Sequence, residues 1–183
     1  MKIIVGITGS SGAVYAVDFL KQCPADKFLI VSKWGKALLK DELKMTETDL
    51  SPYINRQFSN DDLTAPTASG SNRFDAFVIL PCSTSTIGKI ASGIGDTLIT
   101  RTAQVALKER YKLIVCVRET PLSTITLEQC AKLSRDGAVI MPISPPLYFI
   151  PKTVGEYVNA FTQKLLHALN LDMTKGWRSE DLE

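Results

Sequence analysis

The sequence predicts an α/β protein built as a three-layer, doubly wound parallel sheet, and three observations predict it. Apolar, β-branched runs of strand length recur at residues 3–7, 27–32, 75–80, 112–117 and 138–141. Segments with helical spacing lie between most of them, and the chain carries neither hairpin signals nor an internal repeat.

The first strand, residues 3–7, is bounded by Gly6 and Gly9 and runs into Gly9-Ser10-Ser11-Gly12, after which residues 13–20 have helical spacing. A strand, a glycine-rich turn and a helix point backbone N–H groups and the positive end of a helix dipole at one spot, where a phosphate is expected. A plain turn would also use glycine for its φ > 0 and serine as an N-cap. The spacing Gly6-x-x-Gly9-x-x-Gly12 departs from the dinucleotide GxGxxG, which favours a mononucleotide. A second strand ends at Ser32, where a helix over residues 34–43 begins. Residues 46–72 are polar and proline-bearing, a long excursion holding one short strand at 56–58. The buried strand 75–80 stops at Pro81-Cys82-Ser83-Thr84-Ser85-Thr86, and helices follow at about 87–92 and 97–110. The strand 112–117 ends at Arg118-Glu119-Thr120-Pro121, and a helix at 127–133 leads to the last strand, 138–141. The final helix covers about 154–169, and a polar tail from about residue 170 carries Trp177.

Ligands in such sheets bind beyond the carboxyl ends of the strands. The residues there are Gly9, Ser10 and Ser11, then Ser32, then Ser83, Thr84, Ser85 and Thr86, then Arg118 and Glu119, then Pro145-Pro146-Leu147-Tyr148. One hydroxyl-bearing strand end would read as an N-cap; three on one edge, with an arginine at a fourth, describe a site for a phosphorylated ligand. Arg101 and Lys108 lie seven apart on one helix face, separated by roughly 10 Å, too far to clamp one phosphate easily and compatible with a solvated basic face. Glu42 falls at a helix C-terminus, where a carboxylate is disfavoured, and Glu119 sits beside Arg118 where active-site acids sit.

The composition is that of a single globular domain spanning residues 1–183, with 45% hydrophobic and 22% charged residues. A net charge of +2 supplies no electrostatic drive toward nucleic acid or a membrane surface. The four cysteines are scattered and the only histidine is His167, a poor basis for a zinc site, so no metal is expected. Reduced thiols suit a cytoplasmic protein, and no apolar stretch has transmembrane length.

Gly9-Ser10-Ser11-Gly12, the segment 81–86, Ala106-Leu107-Lys108-Glu109-Arg110, Arg118-Glu119-Thr120-Pro121-Leu122 and the segment 137–142 together resemble the flavin prenyltransferases, the UbiX-type partners of the prenylated-flavin decarboxylases. Residues 65–71 resemble that family's mobile loop, and the likeness runs in order from Met1 to about Trp177. The resemblance implies a flavodoxin-like, metal-independent enzyme that joins a dimethylallyl group, from its phosphate or pyrophosphate, to N5 and C6 of reduced FMN. It implies FMN contacts from Gly9, Ser10, Ser11, Ser32, Ser83, Thr84, Ser85, Thr86 and Arg118. Arg101, Lys108, Arg118, Tyr148 and Lys164 would hold the allylic phosphate, some across a subunit boundary, with Trp177 bordering the site. Glu42 and Glu119 match the family's acid/base carboxylates, and Ser11 joins them among the catalytic groups. A homododecamer is implied, with a prenylated-FMN-dependent decarboxylase receiving the product. The tail is expected to pack on a neighbouring subunit or to move freely. Lys164 stands where the family usually has arginine, keeping the charge but losing the bidentate fork.

Two other readings share these residues. An FMN-dependent oxidative decarboxylase of cysteine-type substrates needs a catalytic histidine near the sheet edge, whereas His167 lies on the last helix. A non-catalytic flavin carrier needs one phosphate site and leaves Lys108, Tyr148 and Lys164 without a purpose.

Overall fold

The computed structural model describes residues 1–148 and 150–171 of the chain. The element order is β1 (Lys2–Ile7), α1 (Ala13–Gln22), β2 (Asp26–Val31), α2 (Lys33–Leu43), β3 (Arg56–Ser59), β4 (Ala76–Cys82), α3 (Thr84–Ala91), α4 (Leu98–Lys108), β5 (Lys112–Val117), α5 (Thr124–Arg135), β6 (Val139–Ile140) and α6 (Val154–Ala168). The six strands form one sheet in the order β3-β2-β1-β4-β5-β6, and every pairing is parallel. This is the predicted doubly wound architecture, with a topological switch point between β1 and β4.

Alternation along the strands assigns the layers. Ile3, Val5 and Ile7 of β1 pack with Ala16, Phe19 and Leu20 of α1, Leu39 of α2 and Phe161 and Leu165 of α6. Ile4 of β1 faces the other way, into a cluster with Phe77 and Ile79 of β4, Ile87 of α3, Leu98 and Ala103 of α4 and Leu133 of α5. Both faces of the central strands are therefore dry, which is why they read as unbroken apolar runs. Burial pushes the thiols of Cys82 and Cys116 well above their usual value, and all four cysteines are free and buried. No helix among the described residues is long and apolar enough to cross a membrane.

Several boundaries differ from expectation, each for a physical reason. β4 continues through Pro81 to Cys82, with a register irregularity after Ile79. Pro81 lacks the N–H a regular ladder needs, but its carbonyl is used by Thr8. α3 and α5 begin three residues earlier than the apolar pattern suggests, at Thr84 and Thr124, because Ser83 and Ser123 cap them ahead of first turns that are polar in α3 and carry an exposed Ile125 in α5. β6 has two paired residues rather than four. The excursion between α2 and β4 holds the expected β3 and two 3-10 segments, Glu47–Tyr53 and Pro66–Ala68. The expectations for Trp177 and the tail lie outside the described residues.

α2 lies against the carboxyl end of β1 at Gly35, where an added Cβ would come within 2.5 Å of the Ile7 carbonyl oxygen. A backbone oxygen cannot swing aside as a side chain can. Gly35→Ala is therefore expected to lose about 1–3 kcal/mol of stability, measured as a lower midpoint in urea at unchanged slope.

Candidate functional site

The carboxyl ends of β1, β2, β4 and β5 are laced into one rim. Thr8, 2% exposed, donates its hydroxyl to the Pro81 carbonyl at 2.9 Å and accepts the Ser83 N–H at 2.8 Å, bridging β1 to β4 at the switch point. The Ser10 hydroxyl donates to the Arg118 carbonyl at 2.5 Å, and the Arg118 N–H donates to the Cys82 carbonyl, which ties in β5. The Ser32 N–H donates to the Ile7 carbonyl at 2.9 Å. Ser10, Ser32, Ser83 and Arg118 thus come together as the sequence predicts, with Ser11 beside them on the exposed turn.

A cavity of about 600 Å³ opens on one side of this rim, lined by Gly9, Ser32, Lys33, Trp34, Lys36, Ser59, Asn60, Asp61, Ser83, Ser85, Thr86, Lys89, Thr97 and Thr100, among others. Every helix leaves its first N–H groups without an intrahelical acceptor, and the fate of those donors distinguishes α1 and α4 from α2 and α3. At α1 the N-cap is Gly12, with φ of 105° and no side chain to accept. The Glu42 carboxylate crosses from the end of α2 and takes the N–H groups of Gly12 and Ala13 at 2.9–3.1 Å. At α4, Asn60 accepts the Leu98 N–H on its carbonyl at 2.7 Å and the Ile99 N–H on Oδ1 at 3.1 Å, while Thr97 accepts from Thr100 and Arg101. At α2 and α3 only the later donors are satisfied, by Ser32 (from Gly35 and Lys36) and by Ser83 (from Thr86 and Ile87). The N–H groups of Lys33 and Trp34 on α2, and of Thr84 and Ser85 on α3, have no acceptor among the described residues. Two open N-termini, serine and threonine hydroxyls and three lysines on one cavity describe a cradle for a phosphate with a bulky organic group attached.

This geometry corrects two expectations. The anion at the N-terminus of α1 is the chain's own Glu42, so the glycine-rich turn leads into a helix whose first donors are taken. Glu42 is also less disfavoured than its place in α2 suggests, because its carboxylate rests on another helix's positive end. Glu119 is exposed beside Arg118 and accepts the Thr120 N–H on Oε1 at 3.1 Å. Tyr15 lies in the same region: burial and the neighbouring Tyr157 push its phenol up, and Arg118 pulls it the other way.

The expected allylic-phosphate set is not assembled within one chain. Arg101 is half-buried and turned away, its Nε donating to the Ala68 carbonyl, so it ties down the 65–71 loop. Thr102 and Tyr111 hold that loop too, through Thr67 and the Gly70 carbonyl. Lys108 ends α4, about 12 Å down the helix from Thr100, and pairs with Glu109. Lys164 is exposed on α6 one turn before Ala168, whose carbonyl accepts from Lys112 at the start of β5. Lys108 and Lys164 therefore lie toward the amino end of the sheet, while Arg118 lies at the carboxyl end of β5 and the exposed Tyr148 follows β6 in the chain. His167, in the last turn of α6, shares the amino end. Sequence reasoning missed Thr8, Lys33, Trp34, Lys36, Asn60, Asp61, Lys89, Thr97 and Thr100. The Asp96-Thr97 pair before an apolar run signalled a capped helix, but nothing local linked it to Asn60.

Residues 1–166 match the family described as Flavoprotein. The chain is 43% identical to the flavin prenyltransferase UbiX of Thermoplasma acidophilum over 180 residues, 97% of this chain and all of that protein. It is 34% identical to the solved structure of AnUbiX (PadA1) in complex with FMN and dimethylallyl pyrophosphate, at a TM-score of 0.92 over 97% of this chain and 98% of that one. A dodecameric FMN-dependent UbiX-like decarboxylase from Escherichia coli is 35% identical at a TM-score of 0.91, covering 97% and 100% of the two chains. The fold and rim define a flavoprotein. Within that class, the chain belongs to the flavin prenyltransferase family.

The bridge made by Thr8 is testable alone. Thr8→Val keeps the shape but strands the Ser83 N–H, and is expected to cost about 1–3 kcal/mol in chemical unfolding and to weaken FMN binding.

Proposed function

We propose that the chain transfers a dimethylallyl group from dimethylallyl phosphate or pyrophosphate to N5 and C6 of reduced FMN, making prenylated FMN for a separate decarboxylase. The observation that carries this reading is the cavity at the switch point, where the open N-termini of α2 and α3 meet three lysines and a row of hydroxyls. A cavity of about 600 Å³ with these donors fits a flavin mononucleotide phosphate and the ring system attached to it. The family match and the FMN-bound neighbour agree with that fit.

Reduced FMN supplies the nucleophilic positions when bound; the protein supplies position and charge. In the assignment we favour, Ser32, Ser83, Thr84, Ser85 and Thr86 hold the flavin phosphate, and Gly9, Ser10 and Ser11 border the ring system. Arg118 stands on the other side of the 9–12 turn, its Cγ 3.9 Å from where a Gly12 Cβ would be. From there it neutralises the allylic phosphate as the C–O bond breaks. Glu119, next in the chain, gives the departing phosphate its proton. Glu42, fixed on the Gly12 and Ala13 N–H groups, holds the turn in shape and keeps a carboxylate beside the site for proton traffic. The departing allyl group is a delocalised cation, which an aromatic face such as Trp177 would stabilise. Tyr148 serves the allylic phosphate from the same chain, and Lys108 and Lys164 serve it from neighbouring copies in a homododecamer. The reaction requires no metal in this reading, and a cytoplasmic location suits it.

The direct test is the mass of the product. Reduced FMN incubated anaerobically with dimethylallyl phosphate should yield flavin heavier by one five-carbon unit, and unchanged flavin mass would overturn the reading. Glu119→Gln is expected to lower kcat about 10²–10⁴-fold while FMN affinity holds; wild-type turnover would remove Glu119 from the mechanism.

A further inference from the structure

The closed N-terminus of α4 holds a choice of residue that helix capping does not explain. Asn60 follows β3 and reaches across to α4, accepting the Leu98 N–H on its backbone oxygen and the Ile99 N–H on Oδ1. Either oxygen of an aspartate could do the second job. A carboxylate would do it better, because a negative charge at a helix N-terminus is favoured by the dipole and its hydrogen bonds are charge-assisted. The chain uses that solution at α1, where Glu42 is the outside cap. At α4 it uses a neutral amide instead.

The two caps differ in what else they face. Asn60 lines the 600 Å³ cavity together with the N-termini of α2 and α3, whereas Glu42 is not among the residues lining it. Lys33, Lys36 and Lys89 against Asp61 leave the cavity lining with a net side-chain charge of +2. Two of these lysines are already engaged, Lys36 with Glu47 and Lys89 with Asp96. One more carboxylate on the wall would halve that surplus and add a fixed negative charge to the cavity that Lys33, Trp34 and Ser85, with their open N–H donors, also line.

We propose that Asn60 is a positioning and specificity residue: it satisfies α4 with a neutral oxygen so that the cavity's only open positive ends are those of α2 and α3, which steers a phosphorylated flavin there in preference to an unphosphorylated one. The proposal rests on the flavin-phosphate reading of the cavity. It assigns Asn60 no contact with the reacting atoms. Its effect is on charge, so it is separable from a role in folding.

The experiment compares FMN with riboflavin, which lacks the phosphate, on the full-length protein carrying Asn60→Asp, Asn60→Ala or neither. Dissociation constants come from quenching of flavin fluorescence, and thermal unfolding is recorded for each protein. Asn60→Asp is expected to keep the wild-type melting temperature or raise it and to bind riboflavin as the wild type does. It should bind FMN roughly 10-fold more weakly, with the deficit shrinking as salt rises. Asn60→Ala, which leaves the Ile99 N–H without its acceptor, should melt lower and weaken both flavins together. An Asn60→Asp protein that binds FMN as tightly as wild type, loses both flavins equally or fails to fold overturns the proposal, since the amide then serves the helix alone. A wild-type protein that does not prefer FMN to riboflavin overturns the reading of the cavity itself, and the two failures are thereby told apart.

Discussion

In an all-parallel sheet with helical crossovers, the helices that follow strands start at the same edge, and each arrives with backbone N–H groups that no intrahelical carbonyl can accept. That surplus of donors is the constraint on which the rest of this molecule depends. β1, β2, β4 and β5 each deliver a helix to the carboxyl rim within a few residues, and α4 adds a further N-terminus after a short break from α3. Left bare, those ends would compete for any anion in reach. The chain answers two of them with its own oxygens, from Glu42 at α1 and from Asn60 at α4, while the first N–H groups of α2 and α3 have no acceptor among the described residues. In the function proposed above, the flavin site is thus defined as much by which helix ends are closed as by which stay open.

Closing a helix from outside requires that the closing segment be fixed, and the same lacing does that. Thr8 joins β1 to β4 through the Pro81 carbonyl and the Ser83 N–H, and Ser83 in turn caps α3. Ser10 holds the glycine-rich turn against the Arg118 carbonyl, so that turn is pinned at Ser10 by β5 and at Gly12 by Glu42. Asn60 is carried by β3, an edge strand held in register with β2 from Phe28 to Val31. The contacts of Thr8, Ser10, Glu42 and Asn60 therefore span elements far apart in sequence. Misplacing one strand end moves the donors of the next helix, which is how packing beneath the rim governs geometry above it.

This explains what was legible in the sequence. The strands 3–7 and 112–117 could be read because burial on both faces writes itself locally as an unbroken apolar run, whereas which residue faces which layer came only with the structure. The serines at 32 and 83 could be read because an N-cap sits next to the helix it caps. Glu42 was noticed for the wrong neighbour: its own helix disfavours it, and the helix that wants it starts thirty residues earlier in the chain. Asn60 and Thr8 carry no local signal at all, since one polar residue in a polar excursion and one threonine after a strand are ordinary. Arg101 and Lys108 share a helix, and their spacing sets them well apart along it, but nothing in that spacing shows Arg101 turned onto the 65–71 loop.

The placement of the cations follows from the same polarity of the fold. A helix C-terminus favours basic residues as strongly as its N-terminus favours acidic ones, and in this topology the C-termini point to the amino edge. Lys108 closes α4, Lys132 and Arg135 lie in the last turn of α5, and Lys164 lies near the end of α6. A parallel α/β chain therefore places much of its helical positive charge at the edge opposite its own ligand site. Arg118 escapes the rule because it follows a strand rather than ending a helix, and Lys33 and Lys36 do so because they sit at the start of α2, whereas Lys89 lines the cavity from the last turn of the short α3. If Lys108 and Lys164 act on an allylic phosphate, they act on one held at the rim of another copy. In that proposal assembly completes the chemistry of the site, bringing the amino edge of one subunit to the carboxyl edge of the next.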